Sequence, residues 1–562
     1  MRPCKIIADK DTTKHRTRQL ICLTTVFPEA KDFIQTLYID HPLIKHHKTK
    51  DVAENIVTSV KEYISEDSYA GGSYDGAYFH ANKDVSKHVN EAFNVNDEAV
   101  HSDHDAMHRS SLAEKRARKK VENNWLNKLG KNIATAFKDH NYGKKYEELK
   151  DQAQLMEIEL LEPKFHSETR FANSCSQVFN TGYRDLSVLI ETYKKTRDEN
   201  VGSNLQEERD KAKHAADMLK VLNNKKSMLQ LAGTCDIYSQ FSAMVCNLQK
   251  VNVLPHERYS QYQDRFNKMR HMMDSISDHS ECASQECHWP KYHTDRENIL
   301  KGKFGKLSVL SDEGEPADKV LRSYFKRPNQ AKDPFDKSAE NNLKTVLKDL
   351  LDELKDVFRE VDIKVIETTR PLTDWSGLAL KLKTRSQPIV YALEKKTFVD
   401  SCYNTARSVK CVERSEIENQ FYKFTKRLEK ITQHKSYEQL KKTDSKELIQ
   451  TFGSSPSLYE GIELVMRATY EASVKLSVES VAESVISVYN LHNNQLRKLN
   501  EDTANDELFV AYNGPEIGEA DEVLRQALNL HFSKTRGGWN FSTQLFKTAG
   551  VVVEKKLREK IN

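Results

Sequence analysis

The first eighty residues constrain this chain most, because they alternate short apolar strands with one amphipathic helix and place an aspartate after two of the strands. Lys5–Ala8 reads as strand one, and Asp9 follows it in Cys4-Lys-Ile-Ile-Ala-Asp-Lys-Asp-Thr12. Leu20–Phe27, rich in β-branched residues and closed by Pro28, reads as strand two, and Phe33–Ile39 as strand three. Connections this short require antiparallel neighbours. Val52, Ile56, Val60 and Ile64 then recur at four-residue steps, which predicts a helix with one buried face. Gly71, Gly72 and Gly76 bracket a fourth strand carrying Asp75. Two such carboxylates suit hard divalent cations and phosphoryl chemistry. Read singly, each is an ordinary turn acid.

At 562 residues the chain is too long for one ordinary core, and 13 prolines and 19 glycines are few for that length. Helix should dominate after the opening strands. Trp125, Leu126, Leu129, Ile133 and Phe137 share one helical face, and Met228, Leu231, Cys235, Tyr238, Val245 and Leu248 form a core stripe. Residues 311–338, with Gly314, Pro316, Pro328 and Pro334 among charges, read as a long surface loop. The strongest helical pattern runs from Leu343 through Leu347, Leu350 and Leu354 to Val361. A late helix around 506–512 should stop at Asn513-Gly514-Pro515.

A formal net charge of +4 is nearly neutral for this size, so nucleic-acid binding has to be argued from local clusters. The sharpest is Lys115-Arg-Ala-Arg-Lys-Lys120, which suits either a solvated helix face or phosphate contacts. Nine cysteines without a regular framework point to a reducing compartment. Lys5 and Asp9 interrupt any secretory leader, and no run of 18 apolar residues exists, so a soluble intracellular protein without a membrane partner is expected. No phosphate-binding Gly-Lys loop or dinucleotide fingerprint is present, which argues against a nucleotide cofactor. His279, Cys282, Cys287, His288 and His293 cluster as zinc ligands do, but not at a regular finger spacing; a polar interhelical loop is the competing explanation.

The β-β-β-α-β order is the opening half of a ribonuclease-H-like domain, and five short motifs in sequence order resemble those of the hAT superfamily of DNA transposases. Ala8-Asp-Lys-Asp-Thr-Thr13 is similar to the first catalytic motif, with Asp9 in the metal-binding place, and Tyr74-Asp-Gly-Ala77 to the second, with Asp75. Asp105-Ala-Met-His-Arg109 is similar to the Cys-x-x-His motif, with Asp for Cys; Thr169-Arg-Phe171 is similar to Thr-Arg-Trp, with Phe for Trp. Ala482-Glu-Ser-Val-Ile-Ser487, followed by Arg497, resembles the helix supplying the third carboxylate. The resemblance implies a metal site of Asp9, Asp75 and Glu483, with Glu479 the rival for the third place. It also implies that His108, Arg170 and Phe171 contact a base flipped from DNA, which needs an aromatic or guanidinium face to receive it.

The expected fold class is therefore α/β: a ribonuclease-H-like mixed sheet split by a large all-α insertion, helix-dominated overall. Residues 1–183 would form the first part, 184–465 the insertion, and 466–562 the return with dimerisation-like helices. The implied function is Mg²⁺- or Mn²⁺-dependent DNA strand cleavage and transfer in the nucleus, by a homo-oligomer. Only eight residues precede Asp9, leaving no room for a DNA-reading zinc finger, so a domesticated or vestigial transposase is the expectation. The alternative is a non-catalytic scaffold for dimerisation or chromatin association.

Overall fold

The computed structural model describes residues 2–12, 17–44, 48–74, 85–95, 100–103, 105–161, 171–278, 287–305, 307–308, 334–384, 388–476, 501–514, 521–534 and 541–561. It is helix-dominated with one mixed five-stranded sheet, so the α/β class holds. The chain forms two compact units. One comprises residues 1–108, 248–260 and 358–562; the other comprises 109–247 and 261–357.

The first unit contains the sheet. Its strands are β1 (Cys4–Thr12), β2 (Thr17–Val26), β3 (Ile34–Asp40), β4 (Tyr69–Tyr74) and β5 (His101–Asp103), in the spatial order β3-β2-β1-β4-β5. The first three pair antiparallel, and β4 and β5 run parallel to β1. A parallel neighbour needs a crossover, and the Thr49–Val60 helix supplies it, burying Val52, Ala53, Ile56 and Val60. β1 is longer than its sequence indicates. Asp9 lies inside it opposite Leu20, because pairing with β2 continues to Thr12–Thr17.

Gly71 permits the close approach of β4 to β5. Its φ is +122°, and a Cβ there would lie 2.2 Å from the His101 carbonyl oxygen. At the opposite edge, the Asn513 carboxamide pairs with the backbone of β3: the Tyr38 amide donates to Oδ1 at 3.0 Å, and Nδ2 donates to the Tyr38 carbonyl. Edge-strand backbone that would otherwise seek another chain is thus occupied. Asn513 ends the Glu501–Asn513 helix, where the Asn-Gly-Pro stop was expected.

Two apolar clusters hold this unit together. One joins Ile6, Ala8, Leu23 and Ile56 to Leu508, Val553 and Leu557. The other joins Val26, Phe33, Ile34 and Ala70 to helices between residues 360 and 473, centred on the fully buried Trp375 beside Phe424 and Phe452. Those helices therefore pack with the sheet strands, and the units divide at 108/109, 247/248, 260/261 and 357/358; the boundaries expected from the sequence are 183/184 and 465/466.

The second unit is almost entirely helical among its described residues. The Lys225–Leu248 stripe is buried as expected, and Gly233 lets Leu343 approach the helix backbone closely. The Pro334–Leu354 helix buries Leu343, Leu347, Leu350 and Leu354. The expected continuation to Val361 does not occur. A new helix, Glu360–Thr373, starts where Asp362 accepts the Arg359 backbone amide at 3.0 Å, and Val361 is exposed on it. Of the expected 311–338 loop, residues 311–333 lie outside the described residues, and Pro334 opens a helix.

Candidate metal and DNA site

Asp9 is the one expected metal ligand whose side chain is described. It is half-buried on β1, and its Oδ1 accepts the Lys10 backbone amide at 2.6 Å. Its charge reaches the neighbouring strand: burial, and secondarily the Asp9 carboxylate, push the Cys22 thiol far above its ordinary range. Asp75 lies outside the described residues, but β4 is described as far as Tyr74. Ala8 and Tyr74 are register partners in the parallel pairing, and these are the residues that immediately precede Asp9 and Asp75 in sequence.

Glu483 and its rival Glu479 also lie outside the described residues; the chain before them is described to Leu476. There it is bound tightly to the sheet. The fully buried Lys5 of β1 donates from Nζ to the Lys475 carbonyl at 2.5 Å. Buried Arg258 donates to the Leu476 carbonyl and to that of Lys250. Lys475 in turn pairs with Glu471 at 3.4 Å, and Glu471 accepts the Arg407 amide at 2.9 Å. This polar knot is nearly invisible in the sequence. Its one visible signal is a lysine in the middle of an apolar strand, where burial demands a partner.

The expected DNA-contacting residues are less complete. Arg170 lies outside the described residues. Phe171 begins the Phe171–Asn200 helix, but its side chain is not described. His108 sits in the first turn of the Ala106–Lys119 helix. Capping there falls to Asp105, which is buried and accepts the Met107 amide at 2.9 Å. Asp105 thus has a structural task of its own.

In the second unit, the basic run 115–120 is largely committed to intramolecular pairs. Arg116 meets Glu353 at 2.6 Å, Lys120 meets Asp349 at 2.9 Å, and Arg118 meets Glu114 at 3.4 Å. Phosphate contacts by those three would have to displace carboxylates. Of the zinc candidates, His279 and Cys282 lie outside the described residues. His293 is buried with Nε2 3.2 Å from the Ile276 carbonyl, and His288 stacks on His271. Among the described residues no group of three His, Cys, Asp or Glu side chains is placed to hold a metal ion. Asp75 and Glu483 are not among them.

No helix among the described residues is long and apolar enough to cross a membrane. No protein-family model matches the chain, and no curated protein matches it.

Proposed function

We propose that this chain is a hAT-transposase-like protein with a ribonuclease-H-like sheet, whose site binds Mg²⁺ or Mn²⁺ and acts on DNA strands. The observation that carries the reading is the sheet itself. Three antiparallel strands are followed, through a helix, by a strand parallel to β1, with Ala8 and Tyr74 in register. Carboxylates following two adjacent parallel positions provide the oxygen-only donor set that hard cations prefer. The Lys5–Lys475 contact adds support, because it brings the chain back to β1 just ahead of Glu479 and Glu483. Two bound cations would activate the attacking oxygen and stabilise the leaving one. Asp9 contributes a half-buried carboxylate on a strand paired on its β2 side, so its position is set by the sheet backbone.

The test is a nicking and strand-transfer assay on plasmid DNA with millimolar Mn²⁺ or Mg²⁺. Metal-dependent nicking by the natural protein, abolished in Asp9→Asn, is the expected result. A well-folded protein with no metal-dependent activity on any DNA form would count against catalysis and favour the scaffold alternative.

A further inference from the structure

The sequence's most conspicuous basic run is largely paired internally, and a second cationic segment is paired only in part. Residues 423–442 hold seven lysines and arginines against two glutamates, a surplus exceeding that of the whole chain. They occupy the second half of the Arg414–Thr432 helix and the short Tyr437–Lys442 helix, both in the sheet-containing unit. The inner face of the longer helix is fixed by Phe421, Phe424 and Leu428, all fully buried. Its opposite face turns Lys423, Lys426 and Lys430 outward, and Lys441 and Lys442 are exposed beyond it.

Pairing separates these cations. Lys426 meets Glu429 at 3.1 Å, Lys441 meets Glu438 at 3.7 Å, and Arg427 points to the carbonyls of Leu458 and Glu460. Lys423, Lys430 and Lys442 make no ion pair among the described residues. Glu463 is the nearby acid; its carboxyl is held low first by the Gly461 amide and then by Lys423 and Arg427. Lys383 adds a cation at the bend, donating to the carbonyls of Gln433 and Lys435. Two exposed tyrosines flank the lysines: Lys426 lies over the Tyr422 ring and Lys441 over the Tyr437 ring.

We propose that this outer face is a docking surface for the phosphate backbone of duplex DNA. Exposed ammonium groups without carboxylate partners are the groups that gain most from a polyanion. Lys423 and Lys430 are separated by about 10 Å of helix axis, and a duplex presents a negative charge every ~1.7 Å of its own axis, so several phosphates lie within reach. Tyrosine hydroxyls between lysines add hydrogen-bond donors of the kind that fix a protein on the backbone without reading sequence. The choice of DNA as the polyanion rests on the proposed function; the electropositive face does not.

The test uses the full chain and a triple variant, Lys423→Gln, Lys430→Gln and Lys442→Gln, with fluorescence anisotropy on a labelled mixed-sequence duplex across a salt series. All three side chains are exposed, so thermal melting should be unchanged, which confirms folding. Duplex affinity should fall about tenfold or more, and the slope of log affinity against log salt should shrink by about 2 to 3. Unchanged affinity and slope would overturn the proposal. Tighter binding of poly-glutamate than of duplex at equal charge would overturn the choice of partner. Nicking by the natural protein with an unaffected variant would remove this surface while leaving the proposed function standing. Weakened binding without any metal-dependent nicking would do the reverse.

Discussion

Lys5 Nζ donates to the carbonyl of Lys475 across 470 positions of sequence, and both residues are buried. A buried ammonium is tolerated only when its donors are used, and a buried carbonyl likewise needs a donor. This contact therefore fixes where the chain re-joins β1. Lys5→Met keeps length and apolar packing but leaves the carbonyl without this donor. Denaturant melts should show a loss of about 1–3 kcal/mol. A neutral result would mean that Lys475 finds another donor and the contact does not fix the return.

Gly71 sets the β4–β5 pairing through its positive φ and the absence of a side chain. Gly71→Ala would drive a methyl group into the His101 carbonyl and strain the backbone at the same time. The expected loss is about 1–3 kcal/mol or more. Hydrogen exchange should locate it in β5 before the rest of the sheet. Native protection across His101–Asp103 in the variant would refute this account.

In the second unit, Leu347 and Leu350 sit in the core of the Pro334–Leu354 helix. Leu350→Ala should cost about 2–5 kcal/mol in urea melts, because removing a buried side chain leaves a cavity that neighbours refill only in part. A change below about 0.5 kcal/mol, the range of ordinary surface substitutions, would show that the site collapses freely or faces solvent.

Much of this was legible in sequence because the signals are local. Four-residue apolar steps marked the crossover helix, and Asn513-Gly514 marked a helix stop. What escaped depends on partners far along the chain. Nothing near Val357 announces that the leucine-rich helix ends and that Asp362 caps a new one. The basic run 115–120 reads as available charge until Asp349 and Glu353 are found beside it. β1 outruns its own pattern for the same reason: its residues stop looking apolar at Ala8, but pairing with β2 carries it to Thr12. Of the candidate site, Asp9 was identified from its motif, whereas its strand environment and the Lys5 contact required tertiary structure.

Glu114 offers a pH test of the second unit. Burial raises its carboxyl to about 7, against the lowering effects of the Tyr238 hydroxyl and Arg118. Burial likewise raises Asp236 and Asp185 to about 7. An acid whose folded value exceeds its unfolded one binds protons more tightly when folded. Stability is then highest below the unfolded value and falls as pH rises towards the folded one. Between pH ~4.5 and ~7 each such group contributes a slope of at most about 1.4 kcal/mol per pH unit. Glu114→Gln cannot ionise, so its stability should decline less steeply over that window. Parallel curves for the two proteins would show that Glu114 titrates alike in both states.

The metal reading has its own discriminating measurement, independent of catalysis. Asp9, Asp75 and Glu483 converging without a cation would crowd like charges, and a divalent ion would relieve that repulsion. An ion that binds the folded chain alone stabilises it by mass action, so the melting temperature should rise with millimolar Mn²⁺. Asp9→Asn keeps an oxygen ligand but removes a negative charge, so its rise should be smaller. The comparison also controls for metal bound elsewhere, such as at surface carboxylates, because those sites are identical in both proteins. Equal shifts would therefore take Asp9 out of any ion site, and absence of a shift in both would favour the scaffold alternative. A larger shift in the natural protein supports a working ion site anchored on β1.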